Sequence, residues 1–404
     1  MPFSEGLRPY RMGLVADVLR ERGHEVVWWT SSFNHARKER YFAPGDSTST
    51  LKNGAVVRCV ESGTYTRNIS LARIRHHRMM ARRMRAYWND EPGPDIVIAA
   101  LPTIELVQET QEFASKVQIP YMIDVRDLWP DVFWDKAPSP LKPFVKFVCR
   151  RTRARVTQAL RGASSRIAVS PGYLRWAQQP VGIEAQKSFD RVFPLGHPGF
   201  DTVPSRPPES ITAKLTGKFV ATFAGTFGHS YDLELLGRAA ERFYETGIEC
   251  AIVLIGDGVK LKPLQSRFGH LPNLLFTGWL DNSQLQAILK VSQVGLVPCL
   301  SLPNTLPNKP FEYFAAGLPV LSSLSGDMER MLESDGTGFS YRAKDLNGFI
   351  AKLEILRTNE KLRAEMAARA FSAFQAKFSA AVIYSEYANL IEAIASKGTP
   401  TRMA

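Results

Sequence analysis

Two glycine-containing turns each follow an apolar run, an arrangement that suits the binding of phosphate. The first is Gly225-Thr-Phe-Gly228 and the second is Ile255-Gly-Asp-Gly258. Glycine lets the backbone come close to a phosphate, and the N–H groups that follow favour an anion. Tight strand-to-helix turns without a ligand would have the same sequence, but two such turns at one end of a sheet support each other. The predicted contacts are Gly225, Thr226, Gly228, His229 and Gly256.

A carboxylate and a lysine lie close together in the stretch Asn308-Lys-Pro-Phe-Glu-Tyr-Phe-Ala-Ala-Gly-Leu-Pro-Val320. The pattern predicts a short helix that ends at Gly317 and a buried strand after it. Glu312 would lie in the first turn of that helix, where a carboxylate can accept both hydroxyls of a ribose. Lys309 lies one turn earlier and could reach a phosphate, with Asn308 beside it. In the alternative interpretation, Glu312 only completes the helix N-terminus and Lys309 is solvated.

The residue types that bind metals or form disulfides do not have the spacing of a site. The seven histidines include no HExxH motif, and the four cysteines lie far apart. We therefore expect no metal, no cofactor and a reducing compartment. There is no signal-peptide pattern and no apolar run of the roughly 18–20 residues that span a bilayer, so we expect a cytoplasmic protein.

The candidate residues belong to two series of alternating strands and helices. In the first series, apolar strands are predicted at 26–30, 95–100 and 121–125, with a helix at about 104–116. The second series runs from a strand at 219–224 to one at 319–323. This alternation predicts an α/β chain of two Rossmann-like, doubly wound parallel-sheet domains that face each other across a cleft. We predict domains at 1–200 and 218–378, joined by a Pro/Gly/Ser-rich linker at 201–217.

The start of the chain departs from this pattern. A doubly wound domain opens with a strand that leads into its first glycine loop, but here the chain begins within that loop, at Met1-Pro-Phe-Ser-Glu-Gly6. We therefore expect that the natural start lies upstream and that the first strand is missing.

Positive charge is concentrated in two windows of the sequence. Residues 62–89 contain seven arginines and no acid, and residues 136–183 contain ten basic residues and no acid, whereas the whole chain has a net charge of +12. Two basic patches on an otherwise mildly acidic protein indicate an anionic partner. In segments 69–88 and 140–160 the basic residues alternate with apolar ones, which is typical of helices that lie on an anionic bilayer. Alternatively, these are ordinary basic helices whose apolar faces join the core. No motif supports nucleic-acid binding.

Several motifs together resemble glycosyltransferase family 4, a retaining family with the GT-B fold. They are RGHEV at 22–26, DVRDLWP at 124–130, AGTFG at 224–228, IGDG at 255–258 and KPFEYFAAGLPV at 309–320. The resemblance is closest to the amino-sugar transferases that build bacterial surface polysaccharides, such as O-antigen and capsule, on lipid carriers. It covers nearly the whole chain, including a C-terminal helix at 379–404 that crosses back to the first domain.

The resemblance implies a metal-independent, retaining transfer from a UDP-sugar. The sugar would be an N-acetylated hexosamine or deoxyhexosamine, and the acceptor would be linked to a polyprenyl diphosphate lipid. The enzyme would then lie peripherally on the inner face of the cell membrane. In that mechanism the donor diphosphate leaves, stabilised by cations and N–H groups, while the acceptor attacks on the same face.

The sequence departs from the family pattern around the donor. Family members often have two glutamates eight positions apart; Glu312 matches the second, which holds the ribose, and Asn304 replaces the first. Relatives also place arginine and lysine where this chain has Thr226 and Tyr231. His229 and Lys309 would then share the neutralisation of the diphosphate with backbone N–H groups.

In the first domain, the resemblance assigns the acceptor and the reacting centre. Arg126 replaces a histidine that often ends the equivalent strand, and Asp127 would steady the acceptor or the positive charge that develops on the sugar. Alternatively, the four aspartates of this loop only cap and solvate it. Trp129 would stack on the acceptor or pack beneath a lid. Glu5, Gly6 and Arg8 would lie near the acceptor on the first loop.

Two other functions fit the same fold, since fold alone does not determine activity. A nucleotide-sugar 2-epimerase would convert the donor with no acceptor present. An inactive transferase-like assembly partner would turn over no donor, and the missing arginine and lysine favour that possibility.

Overall fold

The chain divides into two compact units. Unit 1 comprises Met1–Phe193 and Tyr384–Ala404, and unit 2 comprises Pro194–Ile383. The computed structural model describes residues 11–35, 38–40, 45–67, 70–88, 93–135, 137–179, 181, 189–200, 209–300 and 304–398. The division falls before residues 194–200, which the sequence analysis assigned to the first domain.

Unit 1 is an α/β unit in which two sheets are described together with a short hairpin. The strands β6 to β9 form a parallel sheet in chain order, β1 pairs parallel with β5, β4 pairs antiparallel with β5, and β2 pairs with β3. The strands are β1 (Val27–Ser31), β2 (Phe33–Asn34), β3 (Glu39–Arg40), β4 (Ser47–Thr50), β5 (Val56–Val60), β6 (Val97–Leu101), β7 (Tyr121–Val125), β8 (Ser165–Ala168) and β9 (Arg191–Val192). The helices are α1 (Arg11–Glu21), α2 (Leu71–Trp88), α3 (Ile104–Val117), α4 (Asp131–Asp135), α5 (Lys142–Gly162) and α6 (Pro171–Gln178), with a 3₁₀ turn at Ser139–Leu141.

Unit 2 contains a six-stranded parallel sheet in the order β12-β11-β10-β13-β14-β15. Its strands are β10 (Phe219–Ala224), β11 (Cys250–Ile255), β12 (Leu274–Gly278), β13 (Val294–Val297), β14 (Val320–Ser322) and β15 (Gly338–Ser340). The helices are α7 (Glu209–Leu215), α8 (Leu233–Glu245), α9 (Leu261–Phe268), α10 (Asn282–Val291), α11 (Asn308–Ala315), α12 (Asp327–Asp335), α13 (Leu346–Thr358) and α14 (Glu360–Ala373), with a π-helical turn at Phe374–Phe378. The last helix, α15 (Ala380–Gly398), begins in unit 2 and belongs to unit 1 from Tyr384 onward.

The order of these strands creates a topological switch point between β10 and β13. The chain runs from β10 outward to β11 and β12, and then returns to form β13 on the other side of β10. Strand β11 and residues 220–224 of β10 are buried, as expected for apolar strands covered on both faces. In open parallel sheets, ligands bind at the carboxyl ends of the strands beside such a point. The glycine turn after β10 and the helix α11 after β13 meet there.

Within the described ranges, none of the helices combines the length and apolarity needed to cross a bilayer. The same residues bring no group of three or more metal-ligating side chains together.

Candidate functional site

Tyr313 of α11 fills the space between the carboxyl ends of β10 and β13. These strands pair only as far as Thr222 and Gly295. Beyond that point the Tyr313 hydroxyl accepts the N–H of Ala224 at 2.9 Å and donates to the carbonyl of Leu296 at 3.2 Å. Burial raises the pKa of this hydroxyl well above its usual value, so it remains a donor. Gly295 is required because a β-carbon there would collide with the Tyr313 ring.

The two glycine turns are joined to each other. The N–H of Gly225 donates to the carbonyl of Ile255 at 2.8 Å, and the N–H of Phe227 donates to the carbonyl of Asp257 at 2.8 Å. Gly256 has a φ of +132°, and a β-carbon on it would collide with the carbonyl of Gly225. The second turn therefore packs against the first and holds it in place. This contact explains why Gly256 has no side chain, independently of any ligand.

The first turn leaves two N–H groups for an anion. Within the described part of the chain, the backbone N–H groups of Thr226 and His229 make no hydrogen bond, whereas that of Gly228 donates to the carbonyl of Thr226 at 2.9 Å. The residues Thr226 and His229 are exposed. The helix that follows, α8, is already capped, because Asp232 accepts the N–H of Leu235 at 3.3 Å.

Lys309 supplies a cation at the first turn. Its ammonium lies directly against Gly225, where a β-carbon would collide with it. It is 5.4 Å from the centre of the Phe223 ring and 5.1 Å from that of Tyr231. Such cation–π contacts hold an ammonium in place. Asn308, at the start of α11, is exposed. The geometry therefore supports the prediction that Lys309 faces the phosphate turn.

Glu312 lies on the same helix as Lys309. It is the fifth residue of α11, so it occupies the second turn rather than the first turn that we expected. Its side chain is 12% exposed, and its Oε1 is 3.6 Å from Nε2 of His197. The sequence analysis did not identify His197, because the stretch around it reads as Pro/Gly-rich linker. Only a fold that returns residues 194–200 to unit 2 brings the two side chains together.

Asn304 lies against the start of α12. Its φ is +58°, and its N–H donates to the carbonyl of Ser325 at 3.4 Å. Its amide oxygen lies against Gly326 and 3.5 Å from Nη2 of Arg330. The amide oxygen therefore already has a cationic neighbour.

Lys260 is a second lysine near the first turn, and the sequence analysis missed it. Its ammonium donates to the carbonyl of Tyr231 at 2.7 Å, and its backbone N–H donates to the carbonyl of Phe227 at 3.1 Å. The ammonium groups of Lys260 and Lys309 therefore both contact Tyr231 from other segments. The available signal was the position of Lys260 two residues after the second glycine turn.

In unit 1, Asp124 and Arg126 belong to a buried ionic cluster. Asp124 is fully buried and accepts Nε of Arg11 at 2.8 Å and Nε of Arg126 at 3.0 Å. Burial alone would raise the pKa of Asp124, but Arg11 and Arg126 together lower it below its usual value. Asp124 is thus an ionised group that orients Arg126.

Asp127 follows this cluster and is exposed. Burial lowers the pKa of the nearby Arg73, and the negative charge of Asp127 partly offsets this by raising it. Arg73 lies over the Trp129 ring at 4.3 Å, and Phe133 meets that ring edge-on at 4.7 Å. Trp129 is 7% exposed, which favours packing over stacking on an acceptor. Three further acceptor predictions lie outside the described residues: Glu5, Gly6 and Arg8.

Residues 209–373 match a family model described as Glycosyl transferases group 1. Unit 2 carries a group 1 glycosyltransferase domain. Every donor residue predicted from sequence, from Gly225 to Glu312, lies within the matched range. No curated protein sequence shows a significant similarity to the chain.

Solved structures with the GT-B fold resemble the chain over nearly its whole length. Sucrose-phosphate synthase from Thermosynechococcus elongatus has a TM-score of 0.71 at 15% identity, with 96% of this chain and 93% of that chain covered. The UDP-forming α,α-trehalose-phosphate synthase from Burkholderia xenovorans has a TM-score of 0.70 at 13% identity, covering 95% and 96%. HepE from Anabaena, solved in complex with UDP-glucose, has a TM-score of 0.65 at 14% identity, covering 96% and 98%. These likenesses confirm the predicted GT-B fold.

Proposed function

We propose that the protein is a glycosyltransferase whose donor is a UDP-sugar bound by unit 2. The observation that carries the proposal is the arrangement on α11, where Lys309 lies against the Gly225 turn and Glu312 follows three residues later. One helix thereby presents a cation for a diphosphate and a carboxylate for a ribose diol. The group 1 domain supports this assignment, and HepE of the same fold was solved with UDP-glucose.

In the proposed reaction, the bond between the sugar's anomeric carbon and the diphosphate oxygen breaks. A hydroxyl oxygen of the acceptor forms the new bond to that carbon, and its proton passes to the departing diphosphate. Negative charge develops on the leaving diphosphate, where the ammonium of Lys309 and the N–H groups of Thr226 and His229 stabilise it. Because these groups can neutralise the charge, we propose that the departure of UDP needs no metal ion.

The finer parts of the proposal rest on the resemblance to glycosyltransferase family 4. They are retention at the anomeric carbon, an N-acetylated hexosamine or deoxyhexosamine as the sugar, and a polyprenyl diphosphate-linked acceptor for surface polysaccharide synthesis. In unit 1, Arg126 and the exposed Asp127 are the residues that we propose to face the acceptor. The orientation of Arg126 by the buried Asp124 supports such a role.

We also propose that α5 holds the enzyme on the cytoplasmic membrane surface. Large apolar side chains of this helix and the turn before it are exposed, with fractions of 67% for Phe144, 71% for Phe147 and 60% for Val148. Exposed basic residues flank them: Lys142, Lys146, Arg150 and Arg151. Exposed apolar side chains among cations suit the interface of an anionic bilayer.

The other basic helix, α2, is different. Its Met80 and Met84 are buried in the core of unit 1. Three of its arginines pair with acids of other segments: Arg78 with Glu105 at 3.6 Å, Arg83 with Asp46 at 2.6 Å, and Arg85 with Glu109 and Glu112 at 3.0 and 3.1 Å. These contacts favour the alternative interpretation of α2, so our membrane proposal concerns α5 alone.

Turnover of donor with and without acceptor tests the proposed function. The protein would be incubated with candidate UDP-sugars, first alone and then with a polyprenyl diphosphate-linked acceptor, and the release of UDP would be followed. We expect release that depends on the acceptor. Conversion of the sugar without acceptor would indicate a 2-epimerase, and no turnover with any pair would indicate an inactive homologue; either result contradicts the proposal.

A further inference from the structure

His197 is a buried histidine whose backbone and ring are both held in place. Its N–H donates to the carbonyl of Phe378 at 3.1 Å, and its carbonyl accepts the N–H of Ala380 at 2.8 Å. The ring centre lies 4.9 Å from that of Phe200, and the side chain is 5% exposed. These contacts hold the imidazole ring in one orientation.

The hydrogen bonds of the imidazole determine where its proton lies. The N–H of Gly199 donates to Nδ1 of His197 at 3.1 Å. In a neutral imidazole one nitrogen accepts and the other carries the proton, so this bond assigns the proton to Nε2. Nε2 is 3.6 Å from Oε1 of Glu312. The protonated nitrogen therefore faces the carboxylate, and the two side chains are only 5% and 12% exposed.

We propose that His197 is a positioning residue for Glu312, which fixes the carboxylate so that it can accept both ribose hydroxyls of the donor. The inference rests on the proposed role of Glu312. The imidazole N–H attracts Oε1 of Glu312 and thereby limits rotation of the carboxylate. Second partners of this kind are a common way to orient a binding carboxylate or imidazole.

Two substitutions separate this role from a merely structural one. In His197→Asn the shorter amide can still accept the Gly199 N–H but cannot reach Glu312. In His197→Gln the amide N–H lies near the position of Nε2 and can reach Glu312, but the bond from Gly199 is lost. We would measure the Kd of UDP by calorimetry on the full chain, for both variants and for each combined with Glu312→Ala.

We expect His197→Asn to weaken UDP binding about tenfold, the effect of losing one oriented polar contact to a charged group, and His197→Gln to stay within about threefold of the parent. In turnover, the donor KM should rise for His197→Asn with little change in kcat. In the Glu312→Ala background neither variant should weaken binding further, because the partner is gone.

Other results overturn the inference. A weakening that is larger for His197→Gln than for His197→Asn, or one that persists in the Glu312→Ala background, would assign His197 to the fold of the loop. If His197→Asn does not fold, the test falls to His197→Gln. A His197→Gln protein that binds UDP tenfold more weakly than the parent would likewise assign His197 to the fold of the loop. Unchanged UDP binding by Glu312→Ala itself would instead contradict the proposed function on which the inference depends.

Discussion

At the scale of single residues, Tyr313 connects the candidate donor site to the sheet. Its neighbour on α11 is Glu312, and the Tyr313 hydroxyl joins the ends of β10 and β13 next to Gly225. The turn that receives the phosphate is therefore fixed from the same helix that presents Lys309 and Glu312. Rigid placement of this kind is what a binding carboxylate and ammonium require.

Tyr313→Phe should destabilise unit 2 while leaving its packing intact. The ring would remain against Gly295, but the N–H of Ala224 and the carbonyl of Leu296 would lose a buried partner. We expect a loss of about 1–3 kcal/mol in the free energy of unfolding, the usual cost of leaving such groups unsatisfied. Urea unfolding followed by circular dichroism measures it, with Tyr244→Phe, an exposed tyrosine, as the control. Equal stability of the two variants would show that the hydroxyl does not join the strands.

The sequence predicted some of these residues and not others for a physical reason. Lys309 and Glu312 follow a strand within one short amphipathic helix, so local pattern and spacing are enough to place them. His197 and Lys260 reach the site from separate segments through tertiary contacts. No periodicity within either segment encodes such a contact, and for Lys260 the sequence offers only its place near the second glycine turn.

At the scale of elements, α5 and α2 show how similar compositions lead to different surfaces. Both helices are basic and amphipathic in sequence. In α2 three arginines pair with the acids at 46, 105, 109 and 112, and the apolar face packs in the core. In α5 the phenylalanines are exposed. Which of two basic helices remains uncovered depends on the neighbouring elements, and the sequence of the helix alone does not contain that information.

Phe144→Ser combined with Phe147→Ser should release the protein from membranes. Each phenylalanine contributes about 1.5–3 kcal/mol when buried in an apolar phase, so binding to vesicles containing anionic lipid should fall at least about tenfold. Co-sedimentation with such vesicles measures the change. Phe371→Ser, which alters an exposed phenylalanine of α14, is the matched control. Undiminished binding of the double variant to the vesicles would contradict the proposed membrane role of α5.

The contact between α1 and β7 makes the stability of unit 1 depend on pH. The pKa of Asp124 is lowered in the folded state, so its ion pairs stabilise the fold above its unfolded pKa of about 3.9. That stability is lost as the pH falls from about 4 through the folded pKa.

Asp124→Asn should therefore be less stable by about 3–5 kcal/mol at pH 7, because Arg11 and Arg126 would lose their buried partner. The difference from the parent should shrink as the pH falls below about 4. Urea unfolding followed by tryptophan fluorescence is suitable, since six of the seven tryptophans lie in unit 1. Asp95→Asn, at an exposed position, is the control. A difference that is independent of pH would show that the charge of Asp124 is not the cause.

At the scale of the whole molecule, the alternation of strands and helices was enough to predict two Rossmann-like domains, and the resemblance to glycosyltransferase family 4 implied the GT-B fold. Strand bounds such as Phe219–Ala224 and Tyr121–Val125 agree with the structure because these strands are short, mostly apolar runs. The antiparallel strand β4 was not predicted. Its sequence, Ser47-Thr-Ser-Thr50, is polar and lies at a sheet edge, so it has no apolar alternation to detect.

The central claim is that unit 2 holds a sugar nucleotide through Glu312 and the turn at Gly225. Calorimetric titration of UDP into the Glu312→Ala protein tests this claim most directly, with Glu241→Ala on α8 as the control. Two ribose hydroxyls that donate to a carboxylate should be worth about 1.5–3 kcal/mol each. We predict a Kd at least about tenfold above that of the parent and of the control. A Glu312→Ala protein that binds UDP with the parental Kd would contradict the account.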